Sequence, residues 1–384
     1  MSIIFSKPIE ATKLRMAYNN DVLRFYSDST VAAKFCTITN RNDTTALNIM
    51  LYPAPDGTFF FNFKPYVTAL INTRNFQDTL QPELNRTNPD TFVYNATPGT
   101  LLQLNVNIEI TFTDDSTNDV THTLTWIAGA VQPGSYTPLS TLGTYVLSPF
   151  AKASANAWYL NYWQGYPYDI SVYAPATPFR VSNETNLLTQ QFTVANPVFR
   201  LVFSNGDDDE TLEDVLPLSN GHNSLRILAT DEPSEEDVFI SLNKVPYKPG
   251  VYLKWLNAMG GYSYWLFEDT YSIDRNTKQL GELDSDNDNP EDSFGRTIQM
   301  GKESQDTLKI VAELLTEEER RIVEGILDSP KIYLFTGQPY ARNSYNDWVE
   351  VVLKTTGVRI KNPRQPLTNF TFDIELPVRF TQIL

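Results

Sequence analysis

Apolar and polar residues alternate in short runs bounded by Pro, Gly, Asn and Asp, the pattern of β-strands separated by turns. The clearest run is 101–113 (LLQLNVNIEITFT), where Leu104, Val106, Ile108, Ile110 and Phe112 share one face and polar residues the other. That alternation predicts a strand with one face on a core and one in water. Residues 121–127 (THTLTWI) are expected to pair with it across a turn at 114–119. Residues 47–52 and 58–63 flank Pro53-Ala54-Pro55-Asp56-Gly57, in which Pro sets φ and Gly accepts a positive φ, so this stretch predicts a hairpin. Residues 251–257 and 262–267 flank Gly260-Gly261, a second hairpin signal. Further strand-like runs occupy 190–204 (interrupted at Pro197), 307–312, 331–335, 348–353, 358–360 and 370–376.

One stretch has helical spacing. Thr316 and Glu319 form a capping box, in which each side chain satisfies an unpaired N–H of the other residue. Ile322, Val323, Ile326 and Leu327 follow as an apolar stripe, and Asp328-Ser329-Pro330 ends it. The prediction is a mainly β, multi-domain, sandwich or barrel-like architecture with one short helix near 316–327. Composition shifts divide the chain into an N-terminal β domain (1–135), an aromatic-rich middle β domain with acidic loops (136–245) and a C-terminal β domain carrying the helix (246–384). A length of 384 residues agrees with two or three domains.

Charge modifies this picture. With 46 Asp and Glu against 30 Lys and Arg, the net charge is −16, which opposes tight binding to nucleic-acid phosphates or anionic membranes. The acid is concentrated: 207–214, 231–237 and 282–292 hold 17 carboxylates and no Lys or Arg. Setting those 17 aside leaves 29 acids against 30 bases, a nearly neutral scaffold with three acidic loops. Loops of that kind would repel DNA phosphates and let DNA pass without tight binding. No signal segment or apolar run of membrane-spanning length is visible, so synthesis in a cytoplasm is expected. A single Cys, Cys36, excludes an internal disulfide framework.

The chemistry-bearing residues are few. His122 sits in a predicted strand and His222 in a turn, and neither they nor Cys36 has the sequence surroundings of a catalytic group. Asp284, Asp286 and Asp288 have the spacing that opens a calcium loop. An EF-hand would need Gly and Glu where Asn289 and Gly295 stand, so a solvated acidic loop is the favoured reading and a β-loop calcium site the other. Arg359, Lys361 and Arg364 read as a solvated basic edge. The aromatic cluster Trp158, Tyr159, Tyr162, Trp163, Tyr166 and Tyr168, with Trp255 and Trp265, has the composition of a core or protein interface. A sugar-stacking platform is the other reading of those rings.

Three stretches carry a resemblance. They are Leu51-Tyr52-Pro53 through 56–67 (DGTFFFNFKPYV), 251–267 (VYLKWLN to YSYWLF), and Trp348-Val349-Glu350-Val351 through 366–372 (PLTNFTF). Their order resembles structural tail or neck proteins of tailed phages that infect Bacteroidota, crAss-like phages among them. The resemblance implies a virion component made in the host cytoplasm. It would form an oligomeric ring or adaptor with copies of itself and other virion proteins, and it carries no catalytic residues to transfer. A non-enzymatic structural role is therefore expected. The alternative is a carbohydrate-binding or glycan-cleaving β-protein of a tail tip.

Overall fold

A computed structural model of the chain describes residues 2–43, 45–71, 75–95, 99–132, 138–149, 157–175, 178–207, 209–228, 237–268, 271–284, 297–343, 345–360 and 367–383. The fold is mainly β, as the alternation predicts, with strands in 52% of the chain. A three-stranded sheet (Ile3–Phe5, Val22–Ser27, Phe59–Asn62) packs on a six-stranded one (Lys13–Met16, Ala33–Asn40, Asn48–Leu51, Leu101–Phe112, Thr117–Ile127, Leu139–Ser140). A four-stranded sheet (Val93–Asn95, Tyr145–Val146, Pro167–Tyr173, Val198–Asn205) contacts a five-stranded one (Ala157–Trp163, Phe179–Asn183, Leu188–Phe192, Gly221–Leu228, Val238–Val245). A seven-stranded sheet (Gly250–Leu256, Tyr262–Glu268, Ser272–Asp284, Thr297–Leu315, Ile332–Phe335, Trp348–Leu353, Thr368–Glu375) completes the body.

The N-terminal pair of sheets follows the pattern read from its residues. Leu104, Val106, Ile108, Ile110 and Phe112 are all buried, and Leu101–Phe112 pairs antiparallel with Thr117–Ile127. Phe63 meets Trp126 with ring centroids 5.4 Å apart, bridging the layers. The 53–57 turn also forms, with Gly57 at φ +79° and its N–H bonded to the Ala54 carbonyl. The hairpin expected around that turn does not. Asn48–Leu51 pairs with Ala33–Asn40, while Phe59–Asn62 pairs with Val22–Ser27 in the other sheet. The turn is a corner between two layers because Phe59 and Phe61 are buried among the three-stranded sheet's own partners.

The second hairpin forms as predicted: Gly250–Leu256 pairs with Tyr262–Glu268, and Gly260 has φ +82°. The capped helix also forms. Helix α2, Glu317–Glu324, has Thr316 as N-cap with both bonds of the capping box, and Ile322, Val323 and Ile326 are buried. A second helix, α1 (Lys64–Ile71), was not foreseen. Pro65 suits the first helical turn, the Asn62 side chain accepts from the Lys64 N–H, and Val67 and Ile71 face the core. With only eight residues directly after an aromatic strand, it offers too short a period to read. Residues 358–360 are not a strand.

Strand pairings cross the boundary drawn at 135, whereas the seven-stranded sheet lies wholly after 245. Val93–Asn95 joins the sheet of Val198–Asn205, and Leu139–Ser140 returns to Lys13–Met16. One apolar cluster runs through residues of all three segments. Pro167–Tyr173, Val198–Asn205, Gly250–Leu256 and Tyr262–Glu268 are buried almost without alternation, the sign of sheets covered on both faces.

Candidate functional site

The aromatic residues singled out from the sequence lie in that doubly covered stack. Trp158, Tyr162, Trp163, Tyr166, Tyr168, Trp255 and Trp265 are all buried within the chain, and Tyr159 is half-buried. Trp163 meets Trp265 edge-on at 5.1 Å, Tyr162 stacks on Tyr168 at 5.3 Å, and Tyr168 meets Tyr264 at 5.3 Å. The rings join the four-, five- and seven-stranded sheets to one another. The expectation of an interface made by these side chains is corrected accordingly: seven of the eight are core residues of a single chain.

At the centre of the stack lies a polar cluster that motif reading missed. Arg200, in Val198–Asn205, donates from Nε to Asp169 Oδ1 at 3.0 Å and from Nη1 to Asp78 Oδ1 at 2.9 Å. Lys254, in Gly250–Leu256, donates from Nζ to Asp78 Oδ2 at 2.7 Å. Tyr264 OH donates to Asp169, and Lys254 also sits 4.3 Å from the Trp348 ring centroid. Four separate segments thus meet through two cations and two carboxylates. Burial pushes the Asp78 carboxyl up, but the adjacent Arg200 and Lys254 charges outweigh it and hold the group well below the usual carboxylate range. Burial similarly opposes the Arg200 charge, and Asp169 and Asp78 overcome it. Burial raises the phenols of Tyr168, Tyr252 and Tyr264 well above their ordinary value. The only sequence signal was an Arg and a Lys inside apolar runs, each needing a buried counter-charge. The adjoining cavity is about 40 Å³, room for a few waters.

A larger cavity of about 450 Å³ opens between Ala157–Trp163, Tyr262–Glu268 and the end of Thr297–Leu315. Asn161, Lys248, Glu268, Glu313 and Glu319 line it beside Trp163 and Trp265. Asn161 donates to Glu319 at 3.3 Å, and Lys248 pairs with Glu268 at 2.6 Å. Trp163 and Trp265 are 4% and 7% exposed, so neither offers the open ring face that sugar stacking requires.

The remaining candidates do not converge. His122 packs edge-on against Phe5 in the six-stranded sheet, while His222 meets Ser241 in the five-stranded sheet. Cys36 is fully buried, and burial pushes its thiol up to about 12, which makes it a poor nucleophile. Asp284 ends the strand Ser272–Asp284, whereas Asp286 and Asp288 lie outside the described residues, as do Lys361 and Arg364 of the basic edge. Among the described residues, no three His, Cys, Asp or Glu side chains gather as a metal-ion set. Part of the acidic-loop charge is structural. Glu213 pairs with Lys244, fully buried Asp237 pairs with Arg226, and Asp214 accepts the Thr211 N–H to cap a short 3-10 turn.

The most unusual surface is on the seven-stranded sheet. Ser272–Asp284 pairs only with Thr297–Leu315 and forms the sheet edge. Every side chain from 272 to 283 is exposed apart from half-buried Gly281, and so is nearly all of 297–303. Leu280, Leu283, Ile298 and Met300 nevertheless stand in water at the distal end of this arm, with Leu283 directly opposite Ile298. The C-terminal segment runs beside it. Leu376 N–H bonds to the Asp306 carbonyl, Arg379 pairs with Asp306 at 3.0 Å, and Ile383 bridges to Gly301. That segment adds exposed Val378 and a fully exposed Phe380.

No family model matches the chain, and no curated protein does. Among solved structures, the fibronectin(III)-like modules of Clostridium thermocellum CbhA are 8% identical over 64% of this chain and 95% of theirs, with a TM-score of 0.18. A protein of unknown function from Bacteroides ovatus is 12% identical over 50% of this chain and 68% of its own, also at 0.18. Likenesses at that TM-score carry no argument about fold or function.

Proposed function

We propose that this chain is a non-enzymatic structural component of a phage virion, part of an oligomeric ring or adaptor of the tail or neck. The sequence resemblance supplies the setting. The observation that carries the reading is the arm formed by 272–284 and 297–303, with its apolar distal residues in water. A two-stranded ribbon exposed on both sides is marginally stable by itself. Apolar side chains concentrated at its end fit a contact completed by another molecule. The titratable groups of the interior support the same reading, since Asp78, Asp169, Arg200 and Lys254 neutralise one another around a space of about 40 Å³. They act as a lock between sheets.

Electron microscopy and mass spectrometry of native particles test the proposal. The chain should be a stoichiometric component with a symmetric density at tail or neck. Particles that lack it would remove the proposal. If the acidic loops face the DNA channel, the same density would place 207–214 on the inner wall, and their location on the outer surface would refute that detail. The glycan-binding alternative relies on the 450 Å³ cavity. Titration with bacterial surface glycans should show no saturable binding that Trp265→Ala abolishes.

A further inference from the structure

We propose that the cavity of about 450 Å³ receives an extended, basic peptide segment of another protein, whose Lys or Arg side chain meets Glu313.

The cavity lies where three strands run out of partners. Ala157–Trp163 is an edge of the five-stranded sheet, and Tyr262–Glu268 is an edge of the seven-stranded one. In Thr297–Leu315, pairing with Ser272–Asp284 stops at Lys309, so 310–315 pairs with Thr368–Glu375 alone. An open strand edge keeps backbone N–H and C=O groups without a ladder partner, and an extended peptide carries the matching row. The volume of about 450 Å³ is within the roughly 300–1,000 Å³ of ordinary ligand pockets, enough for a short segment.

Two buried donors call for an acceptor. Trp163 and Trp265 line the cavity and are 4% and 7% exposed. Neither indole N–H has a hydrogen-bond partner among the described residues, and neither is fully enclosed by protein. A buried indole N–H ordinarily finds a partner, and a peptide carbonyl would supply one here. Sugar stacking would need the ring faces, which are covered; a carbonyl needs only the N–H edge.

Charge selects the kind of peptide. Glu268, Glu313 and Glu319 line the cavity with Lys248 as its only cation, and three carboxylates against one ammonium leave two negative charges. Lys248 pairs with Glu268, while Glu319 accepts from the Asn161 amide and the Thr316 N–H. Glu313 is exposed and has no partner among the described residues. A register shift between Ala312 and Leu315 takes Glu313 and Leu314 out of the ladder. Leu314 has φ +55°, and its N–H donates to Asn369 Oδ1 at 2.7 Å, which fixes the bulge. A cationic side chain complements this lining, whereas a carboxylate or phosphate would be repelled.

Titration of the full chain, followed by tryptophan fluorescence and calorimetry, tests the inference. The probes are a capped Val-Lys-Val-Lys tetrapeptide, its Val-Glu-Val-Glu counterpart, and spermidine as a cation without a peptide backbone. The basic peptide should bind saturably in the millimolar range or below, the acidic one should not, and spermidine should bind more weakly than the basic peptide. Glu313→Lys should weaken the basic peptide at least about tenfold. Trp265→Phe keeps the ring, removes the N–H and should weaken it about fivefold. Glu184→Lys makes the same charge change at an exposed position outside the cavity and should bind like the wild type. Melting curves check that each variant is folded; should Trp265→Phe fold poorly, Glu313→Lys decides, since its side chain is exposed and unpaired. No saturable binding of the basic peptide overturns the inference, as does equal binding of the acidic peptide or of spermidine, or binding that Glu313→Lys leaves intact. None of these results touches the virion role, which is read from particle composition.

Discussion

The sheet stack and the arm use the same backbone structure in opposite surroundings. In the stack, Val198–Asn205 and Gly250–Leu256 are buried on both faces, so the charges of Arg200 and Lys254 persist only because Asp78 and Asp169 meet them. In the arm, 272–283 is exposed on both faces, and its distal apolar residues Leu280, Leu283, Ile298 and Met300 are 40–55% exposed. A buried polar group needs a partner supplied by the fold, whereas an exposed apolar cluster needs one from outside. The same sheet thus supplies the molecule's most constrained region and its most available one.

The sharpest way to break this comparison is to remove the shared carboxylate. Asp78→Ala leaves Arg200 and Lys254 facing each other without their common partner, and should cost about 3–5 kcal/mol in urea denaturation. A loss below about 1 kcal/mol would mean that the centre is not the lock between sheets described above.

Acid probes the same group without mutation. Because its neighbours hold the Asp78 carboxyl below its unfolded value of about 3.9, it contributes stability above that pH and loses it as pH falls toward the depressed folded value. Unfolding should therefore accelerate below about pH 4, and Asp78→Asn should flatten that limb of the curve. The tyrosines act with the opposite sign. Burial raises Tyr166 to about 12, so its contribution is complete below about pH 10 and is lost as pH rises toward 12. A thermal melting series from pH 3 to pH 12 measures both limbs.

Smaller effects separate local structure from the stack. Thr316→Ala removes the cap of α2 and should lower stability by about 1 kcal/mol. Leu283→Ala on the arm should change the stability of dilute protein by less than about 0.5 kcal/mol, because the side chain is more than half exposed. A large loss there would place the arm inside the folding unit and erase the contrast with the stack.

Legibility followed the same division. The strand at 101–112 could be read residue by residue because one face meets a core and the other meets water. The capped helix was equally clear, since Thr316, Glu319 and the apolar stripe lie within three turns of each other. The aromatic stretch was visible as a cluster, but not its destination: a buried Trp and an interface Trp have the same composition. The arm was legible only as an acidic loop at 282–292, since a ribbon wet on both sides carries no period-two signal. The 53–57 turn was correct in its local chemistry and wrong in its consequence, because a turn does not specify which strand its flanks will join.

The sequence by itself determined the β class, the turns, the α2 cap and the poor nucleophilic inventory, all of which depend on residues near one another along the chain. Only the tertiary structure decided that Asp78, Asp169, Arg200 and Lys254 meet, that the aromatic rings face inward, and that two strands leave the body as an arm. Those outcomes depend on pairings across tens to hundreds of residues, such as the 176 between Asp78 and Lys254. Local propensity carries no information about a partner so far away along the chain.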